Sequence, residues 1–253
     1  MAEAKQPRFE LYYWPGLQGR GEFVRLILED AGAGYVDVAR LPPSEGGGPQ
    51  AIVRMLKEAR GPLPPLAPPI LKDGELVLAQ TATICAYLAE QSGLAPKDEA
   101  GRLHARQLQL TIADLVTEAH DTHHPIATGR YYEEQKKEAH ERATYFRQER
   151  MPKFLGYFER VLQENPQAPG QHLVGDGFTY VELSLFQVLE GLRYAFPNAF
   201  KRLEPQIPGL LALRDRVAAR PRIAAYLKSE RRLPFNEQGI FRHYPELDEP
   251  AAG

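Results

Sequence analysis

Apolar and polar positions follow two different patterns along this chain, and the change falls near residue 95. In the first part, short apolar runs bounded by Gly or Pro alternate with runs whose apolar residues recur at helical spacing, which indicates strands and helices in turn. The predicted elements are a strand at 9–14, a helix at 21–32, a strand at 35–39, a helical turn at 51–58, a hairpin at 70–78 and a helix at 81–89. This β-α-β-α-β-β-α order predicts a small α/β domain over residues 8–92.

The second part of the chain carries almost no strand signal. After a linker at 93–97, long amphipathic stretches are separated by Pro-containing breaks, which indicates helices joined by loops. The helical stretches are 98–127, 132–163, 181–194, 209–219 and 222–228. We therefore predict an all-α domain over residues 98–235, followed by an irregular C-terminal tail at 236–253.

One helix start can be recognised from its residues. Thr179 precedes the apolar run that begins at Tyr180, and Glu182 follows three residues after Thr179. In this capping-box pattern, the Thr side chain accepts a hydrogen bond from the amide of the fourth residue, here Glu182, and the Glu side chain accepts one from the Thr amide. We predict that these residues serve folding rather than catalysis.

Composition and charge exclude several classes of protein. The 253 residues include 31 Lys and Arg against 33 Asp and Glu, a net charge of −2, so neither nucleic acid nor a membrane is expected as a partner. No apolar run approaches the roughly 18–20 residues that span a bilayer, and the N-terminus has no apolar signal core. A single cysteine, Cys85, rules out an internal disulfide or a cysteine metal cluster. We expect a globular, cytoplasmic protein.

Four segments occur in an order, and on predicted elements, that are characteristic of one protein family. They are Tyr13-Trp14-Pro15 with Gly19-Arg20-Gly21; Pro69-Ile70-Leu71 with Asp73-Gly74 and Gln80-Thr81; Gly175-Asp176 with Thr179 and Glu182; and Ala219-Arg220-Pro221. On these residues the chain resembles the cytosolic glutathione S-transferases, in particular their tyrosine-type classes (alpha, mu, pi and sigma), and a bacterial-type member is expected. The third segment departs from the family pattern because it carries Glu where Asp is usual.

The resemblance covers residues 9–234 and implies both a fold and an activity. It implies a thioredoxin-like N-terminal domain, an all-helical C-terminal domain and assembly as a homodimer. It also implies an enzyme that transfers the glutathione thiolate to small hydrophobic electrophiles, a detoxification reaction with glutathione as co-substrate and no metal. Two alternatives remain open: a glutathione-dependent isomerase or peroxidase, and a non-catalytic ligand carrier with the same fold.

The resemblance assigns catalysis to Tyr13 and Arg20. A free thiol has a pKa of about 8.5 and is mostly protonated at neutral pH. A hydroxyl that donates a hydrogen bond to the sulfur favours the thiolate and lowers that pKa. Tyr13 ends the first predicted strand, and Arg20 adds positive charge at the start of the next helix. Tyr12 faces the opposite side of the strand, where we expect it in the core.

By resemblance, Gln80 and Thr81 bind the γ-glutamyl end of glutathione at a helix start, where backbone amides are free to bind a carboxylate. Pro69 lies 11 residues before Gln80, the spacing usual between the family's cis-proline and this pair. The residue before the cis-proline binds the cysteinyl part through its N–H and C=O, but Pro68 has no N–H. Two interpretations stay open. Either Pro69 is the cis-proline and Pro68 keeps only its C=O, which we favour, or Pro68 is the cis-proline and Ala67 supplies both groups.

Two further contacts with glutathione follow from the resemblance. The family places a basic or Trp residue for the glycine carboxylate within the segment 41–68, where Lys57 or Arg54 is the candidate. In many tyrosine-type members an Asp of the partner subunit reaches the γ-glutamyl amine, and Asp114 is the candidate for that role.

The hydrophobic substrate is expected in a cleft between the two domains. Its predicted contacts are Trp14 and Leu17 from the loop after the first strand, and His120 and His124 from a helix of the second domain. Together with His123, these histidines share one helix face, which leaves three interpretations: a wall of the cleft, a metal site, or a helix end that binds nothing. Because the chain has no H-E-x-x-H pattern, we expect no metal.

Overall fold

The computed structural model describes residues 8–59 and 63–249. The chain forms two compact units. Of the described residues, those before Pro96 and Arg220–Leu233 form the first unit, and Pro96–Ala219 and the residues from Pro234 form the second. The last residues of the predicted tail, 250–253, lie outside the described residues. None of the described helices is both long enough and apolar enough to cross a bilayer.

The first unit is built on a four-stranded mixed sheet in the order β2-β1-β3-β4. Its elements from the N-terminal part are β1 (Phe9–Tyr12), α1 (Gly21–Ala31), β2 (Tyr35–Asp37), α2 (Pro49–Glu58), β3 (Ile70–Asp73), β4 (Leu76–Ala79) and α3 (Thr81–Ser92). Strand β1 runs parallel to β2 and antiparallel to β3, and β3 and β4 form a hairpin around Gly74, whose φ is +60°. The predicted order of strands and helices is confirmed.

The two sides of β1 face different partners. Tyr12 belongs to an apolar cluster with Ile70 of β3 and with Ala51 and Ile52 of α2, so its expected place in the core is confirmed. Neighbouring residues of an extended chain point to opposite sides. Tyr13 accordingly lies against the start of α1, where a Cβ added at Gly21 would be 2.6 Å from its ring.

The remaining part of the chain is helical. Its helices are α4 (Glu99–Asp121), α5 (Lys136–Tyr145), α6 (Met151–Glu164), α7 (Tyr180–Ala195), α8 (Pro197–Leu203), α9 (Pro208–Ala218), α10 (Pro221–Leu227) and α11 (Pro245–Asp248). The stretch predicted as one helix over 132–163 is divided, because a π-helical turn at Phe146–Arg150 separates α5 from α6. The fold class, an α/β part followed by a helical part, is confirmed.

The capping box predicted at the start of α7 is present. The Thr179 hydroxyl accepts a hydrogen bond from the amide of Val181 at 3.3 Å, and the Glu182 carboxylate accepts one from the amide of Thr179 at 2.9 Å. Glu182 is only 1% exposed and also accepts a hydrogen bond from the amide of Leu173 at 3.0 Å. The Glu182 carboxylate therefore accepts hydrogen bonds both at the start of α7 and in the loop before it.

Helix α10 packs against α1 in the first unit. Arg220 donates hydrogen bonds of 2.6 and 2.7 Å to the two carboxylate oxygens of Asp30, whose side chain is 4% exposed. Pro221 takes the first helical position, where a missing N–H is tolerated. By its contacts, the segment Arg220–Leu233 belongs to the first compact unit.

The C-terminal segment expected to be irregular contains one helical turn, α11. The buried carboxylate of Asp248 accepts hydrogen bonds from the amides of Asn198 and Ala199 at 2.7 and 3.0 Å. These amides belong to the first turn of α8, so Asp248 satisfies donors that have no partner within the helix. The ring of Tyr244 stacks on that of Tyr132 at a centroid distance of 3.9 Å. These contacts hold the segment on the second unit.

Candidate functional site

Tyr13 directly follows β1 and is 6% exposed. Its hydroxyl oxygen accepts a hydrogen bond of 2.8 Å from the backbone amide of Arg20. Burial raises the pKa of this hydroxyl above its ordinary value of 10, while the Arg20 amide and the charges of Arg20 and Arg25 oppose the rise. The phenol therefore stays protonated at neutral pH. Because its oxygen is already held by the amide, its own hydrogen remains to be donated to another acceptor.

Two glycines allow the chain to approach Tyr13 this closely. A Cβ at Gly19 would lie 2.1 Å from the Tyr13 hydroxyl, and Gly19 has a φ of +49°, which L side chains rarely adopt. A Cβ at Gly21 would lie 2.6 Å from the ring carbons of Tyr13. The Gly19-Arg20-Gly21 segment thus gives the space in which the Arg20 amide reaches the hydroxyl.

A buried ionic network that was not among the predicted features lies beneath Tyr13. Arg25 has no exposed side-chain surface and donates hydrogen bonds to Asp37 at 2.6 Å and to Glu22 at 3.1 Å. Its guanidinium carbon lies 5.7 Å from the centroid of the Tyr13 ring. Burial alone would raise the pKa of Glu22, but the charges of Arg232 and Arg25 overcome burial and hold that pKa below its ordinary value. The sequence feature that indicates this network is the pair Glu22 and Arg25, two charged residues three positions apart on the buried face of α1.

A cavity of about 560 Å³ lies in the first unit beside this helix start. Of the residues predicted to bind glutathione or to assist catalysis, five line it: Arg20, Pro68, Pro69, Gln80 and Thr81. The rest of its wall comes from the Pro-rich segment 63–67 and from residues 77–79 and 83. The tertiary structure thus brings together residues from three separate stretches of the chain.

The bond between Pro68 and Pro69 is cis, so Pro69 is the cis-proline. This decides between the two interpretations left open by the sequence. Pro68, the residue before it, offers only a carbonyl because proline has no N–H. Ile70, the next residue, begins β3.

Helix α3 starts at the edge of the cavity. Gln80 is exposed and has a φ of +70°, a left-handed backbone conformation that is costly for a residue with a side chain. The first helical hydrogen bond runs from the amide of Ile84 to the carbonyl of Gln80 at 3.0 Å, so the amides of Thr81 and Thr83 precede the helical ladder. The Thr81 hydroxyl oxygen is buried and has no hydrogen-bond partner among the described residues. Together these groups offer donors to an anionic ligand.

The two basic candidates for the glycine carboxylate lie elsewhere in the described structure. Lys57 is exposed on α2 and does not line the 560 Å³ cavity in the described part of the chain. Arg54 hydrogen-bonds to the carbonyl of Gly46 and lines a second cavity of about 410 Å³, which Tyr12 also lines. The reason is that both sit on α2, whose buried residues pack against the side of β1 that carries Tyr12.

The other predicted site residues are Trp14 and Leu17 in the first unit and Asp114 in the second unit. Trp14 is 39% exposed, and Leu17 is partly exposed, with a methyl carbon 2.6 Å from the position of a Cβ at Gly19. Asp114 is exposed on α4 of the second unit. Trp14 and Leu17 therefore lie in the same loop as the Arg20 amide that holds Tyr13.

His120, His123 and His124 form a compact group at the end of α4. His123 and His124 are 1% and 9% exposed, and His120 is partly exposed. Burial, followed by the charge of Arg242, lowers the pKa of His123 to about 2 and that of His124 to about 4. Both imidazoles are therefore neutral near pH 7. The three rings lie 4.8 to 5.2 Å apart by their centroids.

Comparisons with known proteins find similarity to one family. A family model described as "Glutathione S-transferase, C-terminal domain" matches residues 120–230. A glutathione S-transferase of Plasmodium falciparum is 25% identical over 87% of this chain and 95% of its own length. The "Glutathione S-transferase P 1" of Xenopus laevis is 26% identical over 89% of this chain and 94% of its own length. These relatives are eukaryotic, and the expected bacterial type stays a prediction.

The fold is also similar to solved structures. A glutathione S-transferase of the hookworm Necator americanus, described as monomeric Na-GST-3, superposes with a TM-score of 0.63 at 22% identity. The match covers 90% of this chain and the whole of that one. At this identity the likeness concerns the fold alone.

Proposed function

Because this chain belongs to the glutathione S-transferase family, we propose that it transfers the thiolate of glutathione to hydrophobic electrophiles and that Tyr13 stabilises this thiolate. The observation that carries the proposal is the 2.8 Å hydrogen bond from the Arg20 amide to the Tyr13 hydroxyl. It orients the phenol and leaves the phenolic hydrogen to be donated to the sulfur.

The chemistry follows from the difference between a thiol and a thiolate. A hydrogen bond to a charged acceptor is worth about 1.5–3 kcal/mol, and one pKa unit corresponds to about 1.4 kcal/mol. A single bond from Tyr13 would thus lower the pKa of the glutathione thiol by about one to two units, from about 8.5 toward neutrality. The enzyme needs no covalent intermediate of its own, because the substrate sulfur is the nucleophile and the protein positions it.

The cavity supports a binding mode for the rest of the tripeptide. Gln80, Thr81 and the amides at the start of α3 would bind the γ-glutamyl carboxylate. The Pro68 carbonyl would accept a hydrogen bond from the cysteinyl amide, and Arg20 would add positive charge near the sulfur. Since Lys57 and Arg54 do not line this cavity, the glycine carboxylate is left to be bound by other groups.

We also infer that the protein acts in the cytoplasm as a homodimer. The family resemblance supports a partner subunit, and the exposure of Asp114 on α4 leaves its carboxylate available to one. In that arrangement the partner's Asp114 would bind the γ-glutamyl amine. Light scattering of the purified protein tests the dimer, and a monomer at micromolar concentration would remove this role for Asp114.

The decisive comparison is between Tyr13→Phe and Tyr12→Phe. Each variant deletes one hydroxyl from neighbouring buried residues, but the Tyr12 hydroxyl donates to Glu10 at 2.6 Å and lines the other cavity. We expect Tyr13→Phe to lower the rate of conjugation to 1-chloro-2,4-dinitrobenzene by about 10- to 100-fold, as one to two pKa units require. The rate of Tyr12→Phe should stay close to that of the wild type.

Ultraviolet difference spectra of the glutathione complex give a second readout. The wild type should bind glutathione as the thiolate at pH 7, and Tyr13→Phe should bind it as the thiol, with ionisation moved to higher pH. If both proteins bind the thiolate equally well, Tyr13 does not have the assigned role. If the wild type binds glutathione but conjugates no electrophile, the isomerase, peroxidase or carrier alternatives take its place.

A further inference from the structure

The three histidines at the end of α4 converge in a way that the proposed transfer reaction does not use. One ring nitrogen of each of His120, His123 and His124 lies within 4.8 Å of the others. The spacing of three and four residues puts them on the same side of the helix end. All three belong to the second unit, as does Ile240, which contacts His123.

Hydrogen bonds define which nitrogens carry lone pairs. His123 Nε2 lies 2.8 Å from the carbonyl oxygen of Ile240, and a carbonyl only accepts, so this nitrogen carries the hydrogen and Nδ1 carries the lone pair. His120 Nδ1 lies 3.3 Å from a carboxylate oxygen of Asp121, which leaves its Nε2 with the lone pair. A histidine that binds a metal ion characteristically donates its other N–H to a backbone carbonyl or a carboxylate.

We propose that His120, His123 and His124 form a binding site for a divalent transition metal ion of the zinc, copper or nickel type. Imidazole nitrogen is a preferred ligand of these ions, whereas magnesium and calcium prefer oxygen. Three histidines make a ligand set that leaves a fourth position to water, as in zinc sites with an open position.

Binding requires two local changes: ligand nitrogens that lie up to 4.8 Å apart approach one another, and the hydrogen between His123 and His124 is displaced. The two Nδ1 atoms of His123 and His124 are 2.5 Å apart, so His124 donates a hydrogen to His123. In a tetrahedral zinc site, with bonds of about 2.0–2.1 Å, ligand nitrogens are about 3.3 Å apart. The ion therefore takes the place of this hydrogen, the two rings separate slightly, and His124 carries its hydrogen on Nε2 instead. Both imidazoles remain neutral, so the exchange requires no net loss of protons from them.

The surrounding charges set the expected strength of binding. Arg242 opposes a cation beside both His123 and His124, whereas Asp121 and Glu133 favour one beside His124. The Arg242 guanidinium is held by the carbonyl of Gly239 at 2.9 Å. Because Arg242 is the largest of these charge effects at both histidines, the surroundings oppose a cation and the imidazole nitrogens must supply the binding. The expected consequence is reversible binding that links the end of α4 more firmly to the segment containing Ile240.

Calorimetric titration with zinc chloride tests the proposal on the full-length, untagged protein after dialysis against a chelator. We expect one equivalent of zinc per chain and, with cobalt as a probe, the visible absorption of a tetrahedral site. His120→Gln and His124→Gln should each weaken binding by at least about 10-fold, since loss of even an outer hydrogen-bond partner of a metal ligand costs about 10- to 100-fold. The matched control is His140→Gln, since His140 is exposed on α5 and outside the cluster, and it should bind as the wild type does.

Two results would overturn the metal site. One is a wild type that takes up neither zinc nor cobalt, and the other is unchanged zinc affinity in both His120→Gln and His124→Gln. Circular dichroism melting of each variant without metal shows whether it is folded. If one of these two variants is not folded, the zinc affinity of the other variant and the cobalt spectrum of the wild type still test the metal site. Zinc binding that His140→Gln weakens equally would also count against the cluster.

Discussion

The hydroxyl of Tyr226 donates a hydrogen bond of 2.5 Å to the carboxylate of Glu22, although 204 positions separate the two residues. The same carboxylate oxygen accepts a hydrogen bond from Arg232 at 2.6 Å, and the second oxygen accepts one from Arg25 at 3.1 Å. Glu22 is completely buried. Since Arg25 in turn lies beneath the ring of Tyr13, this carboxylate joins α10 and the residues after it to the base of the candidate site.

Replacing Glu22 by Gln should strongly destabilise the protein. The variant keeps the shape of the side chain but removes the negative charge that compensates Arg25 and Arg232, and breaking a buried ion pair in this way costs about 3–5 kcal/mol. Urea unfolding gives the free energy. Glu58→Gln is the control, because Glu58 is exposed on α2 and its replacement should change stability by less than about 0.5 kcal/mol. Equal stability of the two variants would contradict a role for the network.

The ionisation of Glu22 should also make the free energy of unfolding depend on pH. The charges of Arg232 and Arg25, acting against burial, hold the pKa of Glu22 below its ordinary value of 4.5 in the folded protein. The unfolded chain therefore binds the proton more readily, so the contribution of Glu22 is complete above about pH 4.5 and is lost as the pH falls below it. Urea unfolding at several pH values should show a decline on acidification that is shallower in Glu22→Gln. If the free energy of unfolding declines in parallel in the wild type and in Glu22→Gln, Glu22 is not the source of the pH dependence.

Gly19→Ala should affect catalysis more than folding. The added Cβ would lie 2.1 Å from the Tyr13 hydroxyl and would force a strained backbone at a φ of +49°. Strain of this kind costs about 1–2 kcal/mol, and displacement of a catalytic group by about 1 Å can lower the rate about 100-fold. Gly16→Ala is the control in the same loop, since a Cβ there would meet nothing within 4 Å. Conjugation rates and melting temperatures of both variants measure the two effects, and equal rates would disprove the steric argument.

Pro68→Ala should tighten glutathione binding. Alanine supplies the N–H that proline lacks, and one additional neutral hydrogen bond is worth about 1 kcal/mol, or about a fivefold lower KM for glutathione with little change in kcat. Pro65→Ala is the control, because Pro65 lines the same cavity but has no assigned contact with glutathione. Steady-state kinetics at varied glutathione concentration give KM and kcat for both variants. An unchanged or higher KM in Pro68→Ala would mean that this backbone does not contact the tripeptide.

The amino-acid sequence by itself determined the local features of this protein. The aromatic run before Pro15 predicts β1, the apolar spacing after Gly21 predicts α1, and Thr179 with Glu182 predicts the start of α7. These local features depend on residues a few positions apart, so periodicity, capping and turn chemistry are enough to recognise them. Through the family resemblance, the positions of Pro69 and Gln80 also predicted two parts of one cavity wall.

Only the tertiary structure decided the relationships between distant segments. It made Pro69 the cis-proline, placed Arg220–Leu233 in the first unit, and left Lys57 out of the lining of the cavity. It also joined Glu22 to Tyr226. The physical reason is that a buried charge or hydroxyl is satisfied by whichever group the packing brings near, and residues far apart in the chain leave no common period from which that partner can be predicted.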